Sequence, residues 1–399
     1  MAVERDLRLI LAVQALRAFA YGFGSVVLGT ALASSGLSSL QVGVVFTAML
    51  GGMAISSVAI GLLGDRGGRR RVYAGLLLLM GVSGAVFATT RNVPLLVVAA
   101  LTGTLSTDPN ESGPITSLEQ AMMAGAPRDM RSRVFGRYNA VAYLAGAVGA
   151  LAAGGTTAIG ATSSAGADQR WLLLFVPVAV VCALLARGLS AETESAELGG
   201  RHRPLGRSRS IVLRLSALFG LDAFAGGFVV QTFLVFWFHR RFGASAETMG
   251  AAFFAAGLLQ AGSSIVAGRL AVRIGLLNTM VFTHLPSNVL LAIVPIMPSL
   301  PLALAVLLLR FALSQMDVPA RQAYVVTMVD PAERTAASAF TNTARYVARP
   351  LGPLAGGSLM SVAVGLPFAI AGGLKIVYDL ALYGTFRRVP EPVVEEPAG

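Results

Sequence analysis

Long apolar stretches separated by short polar segments dominate this chain. A stretch of about 20 apolar residues is long enough to cross the roughly 30 Å hydrocarbon core of a bilayer as a helix. Runs such as residues 76–80, Leu-Leu-Leu-Leu-Met, do not alternate in polarity, which excludes the strands of a membrane barrel. The pattern predicts an all-α integral membrane protein with twelve transmembrane helices, at residues 9–33, 42–63, 72–90, 93–112, 134–157, 170–189, 211–238, 248–268, 276–297, 300–325, 336–361 and 363–386.

Two polar segments divide the chain. Residues 190–210 are rich in Glu, Arg, Ser and Gly and fall between spans six and seven, while the tail 389–399 is acidic and rich in proline. We therefore expect an N-terminal six-helix bundle at 1–189, a cytoplasmic linker at 190–210, a C-terminal six-helix bundle at 211–388 and a disordered tail. The first span is too long for a cleaved signal and eleven more follow, so we expect it to stay attached.

The composition and charge agree with a membrane location. Hydrophobic residues make up 55% of the chain and charged residues 13%, against about 25% charged in soluble proteins, which excludes a water-soluble enzyme. With the N-terminus in the cytoplasm, 21 arginines fall in cytoplasmic segments and 4 in outer loops, as the positive-inside rule requires. This accounts for the net charge of +11 without nucleic acid. The preference for arginine over lysine is typical of a GC-rich bacterial genome, so we expect a bacterial inner membrane with both termini cytoplasmic.

The two halves of the chain repeat each other at an offset of about 205 residues. The matching blocks lie in spans one and seven, after spans two and eight, and in spans five and eleven, at residues 18–23 and 223–228, 61–68 and 268–275, and 139–154 and 342–357. Repeated bundles with equal numbers of spans imply a two-fold axis along the membrane normal. This is the arrangement of a transporter whose site lies between its halves.

The segment 61–70, Gly-Leu-Leu-Gly-Asp-Arg-Gly-Gly-Arg-Arg, resembles the signature loop between spans two and three of the major facilitator superfamily. The resemblance extends over the whole chain and implies secondary transport of a small molecule by alternating access. It also implies that this loop latches the cytoplasmic side in the outward-facing state. The latch residues would be Gly61, Asp65, Arg66, Gly68, Arg69 and Arg70. The second copy has Val272 in place of the aspartate, and plain positive-inside charge would explain the arginines without a latch.

Ionisable residues inside the predicted spans are the candidates for a substrate and proton pathway, because each costs roughly 2.5–3.5 kcal/mol near the bilayer centre. They are Arg17, Asp108, Asp222, Arg310, Asp317, Arg345 and Arg349. Arg17 and Asp222 occupy repeat-equivalent positions, and we expect them to face each other across a central cavity, unless they serve as buried structural charges. Glu119 and Arg321 show the same exchange of sign and form a possible gate pair.

Asp222 is the first choice for a proton carrier, because burial and nearby arginines shift the pKa of a carboxyl in opposite directions, so a change in its surroundings could bind or release a proton. Asp108 and Asp317 are its rivals. Arg345 and Arg349 lie four residues apart on one helix face and need a counter-charge, from Asp317 or from an anionic substrate. We expect Lys375 and Asp379, also four apart, to satisfy each other; His284 is alone in span nine, which gives no support to a metal site there.

Several functions lack their motifs. The chain has no phosphate-binding Gly-x-x-x-x-Gly-Lys loop, no hydrolase or metalloprotease motif and no cysteine pair, so we expect no enzyme, metal or cofactor. The sequence predicts a monomeric transporter that interacts with its small-molecule substrate, protons and membrane lipids. Residues 352–357, Gly-Pro-Leu-Ala-Gly-Gly, resemble the antiporter motif of drug exporters, although those carry it in span five; export of amphipathic compounds is one possibility. The alternatives are transport of a small anionic metabolite, and a non-transporting sensor or lipid-handling role on the same fold.

Overall fold

The structure is a computed structural model that describes residues 2–63, 68–106, 113–123, 128–159, 169–194, 206–330 and 333–389. Every regular element among these residues is a helix. The α-helices in chain order are α1 Ala2–Ser34, α2 Ser39–Leu63, α3 Arg69–Thr89, α4 Val93–Leu101, α5 Pro114–Met123, α6 Arg128–Ile159, α7 Phe175–Arg187, α8 Arg209–Gly227, α9 Gln231–Phe242, α10 Ala246–Ile274, α11 Leu276–Ile293, α12 Leu300–Ser314, α13 Asp317–Thr327, α14 Arg334–Ala348, α15 Leu351–Val362 and α16 Leu366–Phe386. Short 3₁₀ helices span Gln169–Leu174, Ala191–Glu194 and Val294–Ile296.

The twelve predicted spans all have helical counterparts, which confirms the all-α fold with twelve transmembrane segments. Four spans, however, consist of two consecutive helices: α4 with α5, α8 with α9, α12 with α13, and α14 with α15. Pro350 separates the last pair, because a proline has no N–H to continue the helix. Gly103 follows α4 in a left-handed conformation with φ 68°, so the fourth span turns where the hydropathy pattern predicted a continuous helix.

Hydropathy alone identifies fewer of these spans. Nine helical stretches among the described residues are long and apolar enough to cross a membrane by length and composition. The other three are α4 with α5, α6, and α14 with α15. Two of these are broken into short pieces, and α6 and α14 begin with polar, basic segments. Polar residues are expected on helices that face protein or water rather than lipid.

Equivalent close helix crossings appear in both halves and match the sequence repeat. A Cβ added at Gly149 in α6 would lie 2.0 Å from the carbonyl oxygen of Phe19 in α1. A Cβ added at Gly352 in α15 would lie 2.6 Å from the carbonyl oxygen of Phe224 in α8. Both distances are far below van der Waals contact, so only glycine fits at these two crossings, and small residues are the usual means of bringing membrane helices together.

The two halves meet chiefly through three helix pairs, α6 with α10, α2 with α15, and α1 with α9. Their contacts lie at the side of the bundle away from both chain termini, where α1 ends and α2 begins; we call this side the far end and the opposite side the near end. Gln231 donates to Ser25 at 2.8 Å, and Arg240 donates to the carbonyl of Leu37 at 2.9 Å. A Cβ at Gly250 in α10 would lie 2.4 Å from the α6 carbonyl oxygen of Ala150. The far end is therefore closely packed.

Candidate functional site

A buried cluster, here called the Arg17 cluster, joins four helices of the N-terminal half. It consists of Arg17 on α1, Tyr73 on α3, Glu119 on α5 and Tyr138 on α6. The Arg17 guanidinium donates to Glu119 at 2.6 Å, and the Tyr73 and Tyr138 hydroxyls donate to the same carboxylate at 2.7 and 2.5 Å. Arg17 is 2% exposed and Glu119 0% exposed. Both carboxylate oxygens have partners and solvent does not reach them, so the cluster is closed.

A larger group of charged residues, here called the Asp222 network, occupies the C-terminal half. The Asp222 carboxylate on α8 accepts a hydrogen bond from Lys375 on α16 at 2.5 Å. Its other oxygen lies 3.3 Å from guanidinium nitrogens of both Arg321 on α13 and Arg345 on α14. Arg321 also lies 3.1 Å from Asp317, one turn earlier on α13. One carboxylate thus holds three helices against α8.

His284 on α11 extends this network. Its Nδ1 lies 2.8 Å from Asp379 Oδ1 on α16, and its Nε2 lies 3.8 Å from Asp222 Oδ1. Asn288, one turn further along α11, donates to the second oxygen of Asp379 at 2.8 Å. The imidazole therefore stands between two carboxylates that belong to different helices. Buried apolar residues surround this region, among them Phe219, Met280, Tyr324 and Leu382, and they lower the local dielectric constant.

The pairing that the sequence predicted between the halves is wrong. Arg17 and Asp222 were expected to face each other, but Arg17 binds Glu119 and Asp222 binds Arg321. The exchange of sign at repeat-equivalent positions thus produces one arginine–carboxylate pair inside each half. A buried charge is costly without a close partner, and the nearest helices are those of its own bundle. The possible gate pair Glu119 and Arg321 is divided in the same way.

A smaller expectation is also wrong. Lys375 and Asp379 do not satisfy each other: Lys375 binds Asp222 and Asp379 binds His284 and Asn288. The signal that sequence reasoning missed is the pair of polar residues His284 and Asn288, which lie four apart within a predicted span. Such spacing places both side chains on one face, toward a neighbouring helix.

Arg345 is the part of the Asp222 network that is least enclosed. Its side chain is 26% exposed, while those of Asp222, Arg321 and Lys375 are 10% exposed or less. It lies eleven residues into α14, which is on the order of 16 Å from the near end at 1.5 Å per residue. A partly exposed guanidinium at this depth requires water rather than lipid around it.

The sequence repeat distinguishes Arg345 and Arg349 from the neighbouring residues that serve helix packing. At the offset of 203 residues that relates spans five and eleven, their counterparts are Ala142 and Gly146. The other half therefore makes the same helix crossings without an arginine at either position. Arg349 and Arg310 each have interactions within the structure. Asp108 lies outside the described residues.

The described part of the predicted latch contacts the end of α7 and the first residues of the linker. Gly68 adopts a positive φ of 77° immediately before α3. Arg70 donates to the carbonyl of Arg187 in the last turn of α7 at 3.2 Å, and the Arg69 guanidinium lies 3.5 Å from the carbonyl of Thr193. Cations are favoured at helix C-termini because unpaired carbonyls and the helix dipole make them negative. Gly61 belongs to α2, while Asp65 and Arg66 lie outside the described residues.

Two carboxylates hold the chain on either side of the linker. Asp6 on α1 accepts a hydrogen bond from the backbone N–H of Ser190 at 3.0 Å. Glu333, just before α14, accepts from the backbone N–H groups of Gly206 and Ser208 at 2.9 and 3.0 Å. These backbone donors stabilise the ionised carboxylate and lower the pKa of Glu333 below its ordinary value. The linker is thereby attached to each half at the near end.

Two features bear on other possible sites. Among the residues that the structure describes, no group of three or more His, Cys, Asp or Glu side chains is arranged to hold a metal ion. The segment that resembles an antiporter motif makes close helix contacts: a Cβ at Gly352 would lie 2.5 Å from Gly227, and one at Gly357 would lie 2.4 Å from the carbonyl oxygen of Ser39 on α2. Its glycines are explained by packing on both sides of α15.

Relatives of this chain are membrane proteins and transporters. Its sequence is 26% identical over 432 residues to the uncharacterized membrane protein YJR124C of Saccharomyces cerevisiae, covering 98% of this chain and 96% of that protein. The structure is similar to the nucleoside transporter NupG, with a TM-score of 0.73 at 12% identity over 97% and 100% of the two chains. It is also similar to the human organic anion transporter MFSD10, with a TM-score of 0.62 at 20% identity over 96% and 100%.

At these identities the solved structures show a common fold only. The family assignment comes from the sequence itself, because the model of the Major Facilitator Superfamily matches residues 10–353 and, in a second match, 223–399. Together the two matches cover nearly the whole chain, including both six-helix halves and the repeat that relates them. This multi-pass membrane protein belongs to the Major Facilitator Superfamily of membrane transporters.

Proposed function

We propose that this protein is a proton-coupled secondary active transporter that moves a small molecule by alternating access. The observation that carries the proposal is the Asp222 network, in which a buried carboxylate binds three cations on three helices. Ion pairs of this kind are expensive inside a membrane and are seldom required for helix packing alone. A network with one partly exposed member, Arg345, is suited to respond to a solute.

Asp222 is the proposed centre of the proton pathway. Its partners compete for two oxygen atoms, so a change in the charge of any one of them changes how firmly the others are held. The rival candidate Asp317 belongs to the same network through Arg321, at 3.1 Å. Adding or removing one proton here would therefore act on α8, α13, α14 and α16 together. This is the kind of two-state element on which coupling depends.

The packing of the halves supports alternating access. The far end is closed by contacts such as that between Arg240 and Leu37, while the Arg345 side chain, eleven residues into α14 from the near end, remains 26% exposed. We propose that the six-helix halves, 1–189 and 211–388, rock about this far-end seam while the linker 190–210 joins them. The excess of arginine at the near end supports cytoplasmic termini in a bacterial inner membrane.

The direction of transport receives no support from the antiporter-like segment. Its glycines lie against backbone of α8 and α2, where any larger residue would clash. Close packing accounts for them whether the protein imports or exports its solute. Proton coupling and alternating access therefore form the proposal, and export of amphipathic compounds does not.

The experiment is proton flux into proteoliposomes that contain a pH-sensitive dye. Pools of lipophilic cations, organic anions and neutral sugars are added to wild type, to Asp222→Asn and to Glu4→Gln. Glu4 is a matched control, because it is a carboxylate paired with an arginine at 2.5 Å but exposed to solvent. We expect one pool to evoke proton movement in wild type and in the control, and at least about tenfold less in Asp222→Asn.

Two outcomes contradict the proposal. If none of the pools evokes proton movement in folded wild type, coupling to protons is wrong. If Asp222→Asn transports with the same proton flux as wild type, the Asp222 network is not the coupling element. The fold of each variant is checked by gel filtration and thermal unfolding, so that loss of flux is attributed to the network only in folded protein.

A further inference from the structure

We infer that the transported solute is a neutral ring compound with several hydroxyl groups, which hydrogen-bonds to Asn139 and Asn342 and stacks on Tyr346. This inference rests on the proposed function and assigns its substrate class and its binding side chains. Three observations carry it: an asparagine–tyrosine pair that recurs in both halves, the side of α6 and α14 on which these residues lie, and the exposure of both amides deep in the bundle.

The same two side chains occupy equivalent positions in the two halves. At the offset of 203 residues that relates spans five and eleven, Asn139 corresponds to Asn342 and Tyr143 corresponds to Tyr346. In each half the asparagine precedes the tyrosine by four residues, so the two side chains lie one turn apart on one side of the helix. Halves related by a two-fold axis along the membrane normal bring such equivalent pairs toward one space.

On α6 this side faces the C-terminal half. The Tyr143 hydroxyl lies 3.5 Å from Oε1 of Gln315, the residue that follows α12. One turn toward the far end, Ala147 lies so close to α10 that a Cβ added at Gly257 would be 2.8 Å from the Ala147 Cβ. Asn139 lies one turn from Tyr143 in the other direction, and its side chain is exposed. Asn139 is therefore on the side of α6 that faces the other half, without being covered by it.

On α14 the equivalent side faces the N-terminal half. Pro350, one turn beyond Tyr346 toward the far end, lies beside α2, where a Cβ added at Gly51 would be 3.9 Å from the Pro350 Cβ. Tyr346 is 37% exposed, and Asn342, one turn nearer the near end, is also exposed. Val347, 66% exposed, lies on another side of the helix, since successive residues are about 100° apart. The polar and apolar exposed residues of α14 thus lie on different sides.

Both amides lie deep in the bundle. Asn139 follows Arg128, the first residue of α6, by eleven positions, and Asn342 follows Arg334, the first of α14, by eight. At 1.5 Å per residue these positions are on the order of 16 and 12 Å from the near end. An amide at such depth costs free energy unless it is hydrogen-bonded. Helix packing does not account for either amide because neither is buried, so both are suited to a polar solute.

These side chains match a neutral, hydroxylated solute. A carboxamide has N–H donors and a carbonyl acceptor, and a hydroxyl group both accepts and donates. The Tyr346 ring offers an apolar face on which a sugar ring or a nucleobase can stack. The two arginines on this side of α14, Arg345 and Arg349, have interactions within the structure, so the solute need not supply a counter-charge. An anion would have to compete with Asp222 for Arg345, which lies 3.3 Å from that carboxylate.

The test measures uptake of radiolabelled solutes into proteoliposomes. D-Xylose, myo-inositol and uridine are the neutral probes, gluconate is the anion and tetraethylammonium the cation. Proton movement is recorded in the same vesicles with a pH-sensitive dye. The variants are Asn139→Leu and Asn342→Leu, which remove the amides, and Tyr346→Leu, which removes the ring.

Two matched controls remove a polar group that the helix itself satisfies. The Asn278 amide donates to the carbonyl of Ile274 at 2.7 Å, and Asn278→Leu makes the same change as the test variants. The Thr343 hydroxyl donates to the carbonyl of Ala339 at 2.9 Å, and Thr343→Val changes the residue next to Asn342. Both controls should leave the half-saturating concentration within about twofold of wild type.

We expect at least one neutral probe, and neither charged probe, to be taken up together with protons. Uptake of D-xylose or myo-inositol distinguishes a sugar-like solute from a nucleoside such as uridine within this class. Asn139→Leu and Asn342→Leu should each raise the half-saturating concentration at least about tenfold, because hydroxyl groups of the bound solute lose their partners. Tyr346→Leu should raise it about fivefold. If a leucine variant does not fold, the corresponding serine variant is expected to raise the concentration in the same direction.

Each contrary result has a distinct meaning. Uptake of gluconate or tetraethylammonium, and of no neutral probe, overturns the substrate class but leaves proton-coupled transport standing. Uptake of a neutral probe without proton movement contradicts the proposed coupling and supports the substrate class. Unchanged half-saturation in both folded asparagine variants overturns the assigned binding side chains. The absence of uptake of every probe by folded wild type overturns the inference.

Discussion

Breaking the Arg17 cluster is expected to destabilise the protein without altering its coupling. The substitution is Glu119→Gln, which keeps the shape of the side chain and removes its charge. Glu119 is 0% exposed and holds Arg17 at 2.6 Å together with the hydroxyls of Tyr73 and Tyr138. The variant leaves a buried guanidinium without a counter-charge. In the Asp222 network the corresponding loss should instead remove transport.

The magnitude follows from this geometry. Two unit charges 2.6 Å apart attract each other by about 6 kcal/mol at an effective dielectric constant near 20. Desolvation offsets part of this energy, and removal of one partner of a buried pair typically costs about 3–5 kcal/mol. We expect a loss in that range for Glu119→Gln. The double substitution Arg17→Met with Glu119→Leu removes both charges and should recover most of the lost stability.

The assay is reversible unfolding in mixed micelles, combined with proton flux per folded molecule. Glu4→Gln is the matched control, since Glu4 pairs with Arg8 at 2.5 Å while the two side chains are 69% and 77% exposed. Exposed pairs contribute about 0–1 kcal/mol. The reasoning is refuted if Glu119→Gln costs no more stability than Glu4→Gln. It is also refuted if the folded variant loses proton coupling, which would place Glu119 in the pathway.

Three further predictions concern the seam, the linker and the signature loop. Gly250→Ala should loosen the far end, because its Cβ would lie 2.4 Å from the Ala150 carbonyl oxygen. Cysteines introduced at the far end should then react faster with maleimides than they do in Gly262→Ala, where a Cβ meets open space. Glu333 has a pKa below its ordinary value, so its hydrogen bonds stabilise the fold above about pH 4.3 and are lost as the pH falls further. Amide hydrogen exchange at Gly206, corrected for intrinsic rates, should therefore accelerate below that pH. In Glu333→Gln the exchange should already be fast at neutral pH. Asp65→Asn should lower turnover at unchanged expression and folding, and normal turnover would contradict the latch.

The sequence was sufficient for the fold because its main signals are local. Span length, arginine distribution and the repeat at about 205 residues are readable without knowing which helices touch. The broken spans were harder, since Gly103 and Pro350 interrupt helices within stretches that remain apolar overall. Hydropathy measures the preference for lipid and not helix continuity, so it joined α14 to α15 across Pro350.

The site was predictable in its members but not in its pairings. Depth in the membrane identified Arg17, Asp222 and Arg345, because any charge in an apolar span is unusual. Partner choice depends on which helices pack together, and this is decided by distant contacts such as Gly149 on Phe19. Lys375 illustrates the difficulty: its neighbour in sequence is Asp379, yet its partner in space is Asp222, 153 residues away.

The proposed alternation of the two halves can be tested directly from distances at both ends of the bundle. Cys182 is the only cysteine, so in a Cys182→Ser background spin labels can be placed at Arg71 and Val272 at the near end, or at Leu40 and Val362 at the far end. Acidification together with the flux-evoking solute should shorten the near-end distance and lengthen the far-end distance, and Asp222→Asn should abolish both changes. Distances that stay fixed at both ends in folded, transporting protein would contradict rocking about the far-end seam and the coupling role of the Asp222 network.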